Sequence, residues 1–172
     1  MQPSFLSGVA VAAINEKEIN HSINSDQPLK NFLGTAYTTC LMSCVAECGK
    51  WVTENCPPDT KVTYFFEQGH RHEGEASRFL RGANNHPILR DRYHIGGYGF
   101  YGKRDVRLLQ TADLLAWEWH KWNNERLNNQ KRPMRKSLVS LLEKPHRYFF
   151  FNKNNIGLQA MHLRSYGFAH EK

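Results

Sequence analysis

Residues 103–121 read KRDVRLLQTADLLAWEWHK, and residues 61–69 upstream read KVTYFFEQG. The first stretch has a helical period: Leu108, Ala112, Leu115 and Trp119 mark one face, and Leu109 and Ala116 widen it. Leu114 and Trp117 fall on the far side. The spacing therefore predicts a helix over 106–123 that is apolar nearly all round and buried on more than one side. The second stretch is a short β-rich run, KVTYFF, closed by Glu67, Gln68 and Gly69.

Working outward, Phe5–Ile14 (FLSGVAVAAI) reads as a buried strand, followed by a polar loop over 15–28 that ends at Pro28. A long helix is predicted over 29–54, because Leu33, Tyr37, Leu41, Cys44, Cys48 and Trp51 recur at threes and fours. Pro57 and Pro58 stop it. A second helix is expected over 73–80, and a strand over 94–101 (HIGGYGFY) weakened by three glycines. Past a polar, basic connector over 124–135 come a short helix over 136–143, a strand over 147–152, a helix over 156–164 and a loose tail from Ser165. This alternation predicts an α/β fold in one domain, 1–172, with its core over about 5–122 and a C-terminal extension over 123–172.

Composition sets the outer limits. Of the 172 residues, 40% are hydrophobic and 23% charged, which excludes intrinsic disorder as the main state. No run approaches the roughly 18 apolar residues that span a bilayer. The apolar N-terminus has no basic leader, so it reads as a strand rather than a signal peptide, and a cytoplasmic setting without a membrane partner is expected. A net charge of +7 favours a polyanionic partner such as nucleic acid. Lys103, Arg104 and Arg107 are candidate nucleic-acid contacts, and the densest basic group is Lys131, Arg132, Arg135 and Lys136.

Cys40, Cys44 and Cys48 lie along one helical stripe, with Cys56 beyond it. They read as core thiols in a reducing compartment rather than metal ligands, since structural zinc takes paired cysteines from two places. Trp119 and Trp122 read as core, with Trp117 covering a second layer, although aromatic residues also stack bases. There is no GxSxG and no P-loop, and the glycines of IGGYGFYG do not open a helix as a nucleotide fingerprint should.

Two acids stand out by position. Glu67 closes an apolar strand, where ligands of α/β sheets gather. Asp113 interrupts LLQTADLLAW; a charge there is costly unless paired or metal-bound, or it is an ordinary early-turn acid. The segment EQGHRHEGE adds His70, His72, Glu73 and Glu75. It is dense enough to suggest metal, yet also fits a solvated loop before a helix.

FFEQG after a strand, a polar loop, and then KRDVRLLQTADLLAWEWHK together resemble the domain-of-unknown-function 3800 family over about residues 5–122. The resemblance implies a ribonuclease-H-like fold, a mixed sheet flanked by helices. It also implies a metal-dependent nuclease site in which Glu67 matches the strand-end acid and Asp113 the helix acid. Both would be catalytic and metal-binding, toward magnesium or manganese, with His70, His72 and Asp105 as outer-shell candidates. Asp105 equally suits the N-cap of the helix that follows. Such nucleases cleave phosphodiesters with metals held by carboxylates from separate elements.

The family's opening strand, with its Asp-Glu-Ser-Gly motif, has no counterpart: no acid precedes Glu16, and FLSGVAVAAI resembles the family's second strand. The expectation is thus a shortened member, a strand supplied by a partner, or an inactive protein. Two sheet edges left open would favour a homodimer. The alternative is a non-catalytic nucleic-acid-binding or protein-interaction module of a mobile-element or defence system.

Overall fold

Val9–Ile14, a run of small and β-branched residues, forms strand β1 in the computed structural model, which describes residues 9–14, 34–129, 132–144 and 146–151. Residues 5–8 of the expected first strand, the loop over 15–28, the first residues of the long helix, Lys131, the helix over 156–164 and the tail lie outside the described residues.

Helix α1 spans Ala36–Asn55. It starts at Ala36 because Gly34 adopts a left-handed φ of 66° and Thr35 caps the first turn, its hydroxyl oxygen accepting from the Thr38 amide at 3.4 Å. It ends at Cys56, which turns extended, as a residue before proline must. Strand β2 is Val62–Glu67 and helix α2 is Glu73–Asn85, one and a half turns longer than its weak pattern implied. A short helix α3, Pro87–Arg92, follows unanticipated; Pro87 sits in its first turn, where a missing N–H costs nothing. Then come β3 (Ile95–Tyr101), α4 (Leu108–Leu127), α5 (Lys136–Leu142) and β4 (His146–Phe151).

The architecture is mixed α/β. β1 pairs in parallel with β4, and β2 in parallel with β3, each pair forming its own two-stranded sheet. The single mixed sheet expected from the sequence is not formed among the described residues, because no ladder joins β1 to β2. Helix α1 touches both pairs: the Cys44 thiol meets the Ala12 backbone on β1, and Cys48 meets the Tyr64 hydroxyl on β2.

Strand alternation sorts the β2–β3 side chains onto two faces. Tyr64, Phe66, Tyr98 and Phe100 lie against a core built from Leu41 and Val45 of α1, Ala76, Leu80 and Ala83 of α2, and Tyr93 and Ile95. Gly49 brings α1 into backbone contact with the end of α3: a β-carbon there would stand 2.6 Å from the Arg92 carbonyl oxygen. Phe65, Glu67 and Tyr101 take the opposite face, toward α4.

Helix α4 is buried on one side only, contrary to its pattern. Leu109 and Trp119 are buried, while Leu108, Leu114 and Trp117 are exposed. Among the described residues no second layer covers the Trp117 ring; Arg135 and Lys121 flank it instead, 4.8 and 5.2 Å from its centroid. Trp119 packs between Trp122 and Tyr148 of β4, at 5.3 and 4.7 Å. Glu118, 4% exposed, ties α5 to α4 by accepting from the Ser137 hydroxyl at 2.7 Å and facing Arg135 at 3.6 Å. Among the described residues no helix is long and apolar enough to cross a membrane.

Candidate functional site

Glu67 is the last residue of β2, and its register partner on β3 is Tyr101. Past Tyr101 the chain turns through 102–107 and enters α4, where Asp113 lies one and a half turns in, on the exposed side. The turn carries Lys103 back over the strand end. Its Nζ lies 3.2 Å from Glu67 Oε1 and also donates to Asp113 Oδ2, while Gln110 Nε2 donates to the Lys103 carbonyl oxygen at 3.2 Å and fixes the turn. Two carboxylates distant in sequence therefore converge on one cation, at the carboxyl end of a parallel strand pair.

This cluster is open to solvent. Hydrogen bonds to Asp113 and Glu67 raise the Lys103 pKa above the ordinary lysine value, so the bridging group is a firm ammonium. Exposed pairs of this kind are weak and exchangeable. Lys103 is thus not a free phosphate contact, as its place in a basic run suggested; its charge is held by the two acids. Arg104 and Arg107 remain exposed, with no ion-pair partner among the described residues.

His70 and His72 make their ring contacts with Tyr37 of α1 and with Phe100 on the core face of the sheet. After the turn at Gly69, with φ 81°, the chain passes to the α1 side of the sheet. There the Tyr37 ring stacks on His72 (centroids 4.9 Å apart, planes at 9°) and meets His70 at 5.2 Å, and His70 also meets Phe100 at 6.4 Å. His70 Nδ1 accepts from the His72 amide at 3.2 Å, which leaves the proton of a neutral ring on Nε2, facing the Tyr37 hydroxyl at 3.5 Å. His72 Nε2 accepts from Arg71 Nε at 2.7 Å, so Nδ1 is the donor to Glu75 Oε1 at 3.2 Å. Glu75 Oε2 accepts from the hydroxyls of Thr35 and, at 2.9 Å, Thr38. Partial burial acts to raise the Glu75 pKa, but hydrogen bonds from Thr35, His72 and Thr38 outweigh it and hold the carboxyl below its ordinary value. This cluster joins the starts of α1 and α2. Asp105 does not cap α4: Arg107 holds that position, and Asp105 folds back beside Gly102.

The cysteines are free thiols. Burial pushes Cys40 up to about 12 and Cys44 up to about 11, and raises Cys48 as well. Groups so reluctant to ionise are poor metal ligands and nucleophiles. Among the described residues no group of three or more His, Cys, Asp or Glu side chains is arranged to hold a metal ion. The Glu67–Asp113 pair offers hard oxygen donors, and magnesium is commonly bound by one or two carboxylates with substrate phosphates completing the shell. The donor set fits that mode.

No family model, no curated protein and no solved structure matches this chain.

Sequence reasoning missed three features: the Lys103 bridge, the Thr35–Thr38–Glu75 link, and the exposed ring pair of Phe65 and Tyr101, 5.4 Å apart. Period-two alternation from Glu67 would have placed Phe65 on the same face. The other two depend on how turns fold back.

Proposed function

We propose that this chain is a ribonuclease-H-like, metal-dependent nuclease or a descendant of one, a cytoplasmic protein acting on phosphodiester bonds at Glu67 and Asp113. The observation that carries the reading is the convergence of these two carboxylates on one cation beyond the end of β2. It is the position where α/β sheets gather ligands. A magnesium or manganese ion held by the pair would supply charge stabilisation for phosphodiester cleavage. Glu67 is fixed by its strand and Asp113 by its helix, so the pair needs little ordering when a cation binds. Lys103, released from the acids, is placed to meet a phosphate oxygen.

The test is cleavage of labelled RNA and DNA with magnesium or manganese. Glu67→Gln and Asp113→Asn should each abolish it; cleavage that persists in both variants removes the pair from any mechanism.

A second reading is favoured by Lys103 itself. It already neutralises both acids, and Arg104 and Arg107 stand free of ion pairs among the described residues. On this reading the protein binds nucleic acid through phosphates without chemistry, and affinity is indifferent to divalent ions beyond their ionic strength. We also propose a homodimer: among the described residues each strand is paired on a single side, and an edge of this kind can pair with a second chain. Light scattering at working concentration should give twice the mass of one chain; a clean monomer rejects this pairing.

A further inference from the structure

We propose that the exposed ring pair Phe65–Tyr101 on the β2–β3 pair is a base-stacking platform, which makes single-stranded nucleic acid the ligand of the Glu67–Asp113 site. The inference rests on the reading of that site as one that acts on phosphodiesters.

Phe65 and Tyr101 are 40% and 41% exposed and pack against each other on the sheet face opposite the core. Gly97 and Gly99 share that face, so β3 offers backbone there where side chains would stand. The Tyr101 ring leans back along its own strand over Gly99. A β-carbon at 99 would lie 2.5 Å from Tyr101 Cε2 and 2.9 Å from the hydroxyl oxygen, so only glycine admits this pose. The ring lies over Gly99, packs against Phe65 and keeps 41% of its surface exposed.

The platform adjoins the acids. Tyr101 and Glu67 are register partners, on strands about 4.8 Å apart. Phe65 is two residues before Glu67 on the same face. A base laid on Tyr101 therefore brings its own sugar and phosphate next to the carboxylates and Lys103. Arg104 and Arg107, in the turn directly after β3, supply exposed cations for the neighbouring phosphates. A duplex keeps its bases stacked on one another and has no π-face to offer, whereas every base of a single strand does.

The experiment is fluorescence anisotropy of the full chain with short labelled single strands, RNA and DNA in separate arms, and the matching duplexes. EDTA excludes cleavage. Single strands should bind at least about tenfold more tightly than duplex, and Phe65→Ala or Tyr101→Leu should each cost about fivefold or more. Tyr101→Leu keeps an apolar side chain over Gly99 and removes the aromatic plane, so it separates stacking from packing. Tyr101→Phe should bind like the wild type. Equal single-strand affinity in wild type and Tyr101→Leu overturns the proposal, as does a preference for duplex. So does a dimer that Tyr101→Leu dissociates, since the rings would then be covered by a second copy. The two readings fail separately. Tyr101-dependent binding without any manganese-dependent cleavage supports the platform and counts against hydrolysis. Cleavage indifferent to Tyr101→Leu overturns the platform and leaves hydrolysis standing.

Discussion

Lys103 donates to the Asp113 carboxylate from a turn that also brings its ammonium within 3.2 Å of Glu67, so one side chain of this protein occupies the space between two acids. A divalent ion binding there must displace it. Lys103→Ala is therefore expected to tighten manganese binding by about twofold to fivefold in titration calorimetry, the scale on which exposed ion pairs act. Lys103→Arg should not. Because the acids raise the Lys103 pKa, the ammonium stays charged at least across pH ~6–9, and the difference between wild type and Lys103→Ala should be flat over that range. Unchanged affinity in Lys103→Ala would mean that ions do not bind between the acids.

Glu75 should make folding stability depend on acid pH. Its carboxyl is held below the ordinary value of 4.5 in the folded protein, chiefly by hydrogen bonds working against partial burial. A depressed carboxyl adds stability that is present in full above the unfolded value and is lost as pH falls through the folded one. Glu75→Gln is expected to lower stability by about 1–2 kcal/mol at neutral pH, the scale of hydrogen bonds to a charged group. Denaturant melts taken at falling pH should show the two proteins converging below about pH 4.5. A gap that stays constant into strong acid would assign the loss to packing instead.

Two positions of different kind hold the core together. Leu80 is fully buried against α1 and the β2–β3 face, and Leu80→Ala should cost about 2–5 kcal/mol through lost burial and the cavity left behind. Gly49→Ala should cost about 1–3 kcal/mol by the opposite route, since the new methyl meets the Arg92 carbonyl backbone, which cannot rotate away. Equilibrium urea unfolding checks both. A neutral Gly49→Ala would show that α1 and α3 can part at little cost.

Much of this was legible in the chain. The run VTYFF ending in Glu67 gave the strand and the acid's place on it, and the alternation of elements gave the α/β class. Other features depend on contacts that no local pattern encodes. Leu108, Leu114 and Trp117 look buried because the helix is apolar nearly all round, but burial needs a second layer, and cations from Lys121 and Arg135 flank Trp117 instead. EQGHRHEGE looks like one cluster because its residues are consecutive. The turn at Gly69 splits it, sending Glu67 toward α4 and His70, His72 and Glu75 toward α1. Lys103 reads as one cation in a basic run, since nothing local says that the turn over 102–107 folds back onto the strand end.

The split between Lys103 and its neighbours yields a test of where phosphates bind. Arg104 and Arg107 are exposed and free of ion pairs among the described residues, whereas the charge of Lys103 is held by Glu67 and Asp113. Each phosphate neutralised on a single strand releases counterions and contributes about 0.7 to the slope of log affinity against log salt. Arg104→Ala and Arg107→Ala should each lower that slope by about this amount on single strands, with folding unaffected. Lys103→Ala should leave the slope unchanged, because in the absence of metal its ammonium is bound to carboxylates rather than to the ligand. A slope that falls equally in all three variants would show that nucleic acid pulls Lys103 away from the acids on binding. A slope that moves in none of them would place the phosphate track elsewhere on this basic surface.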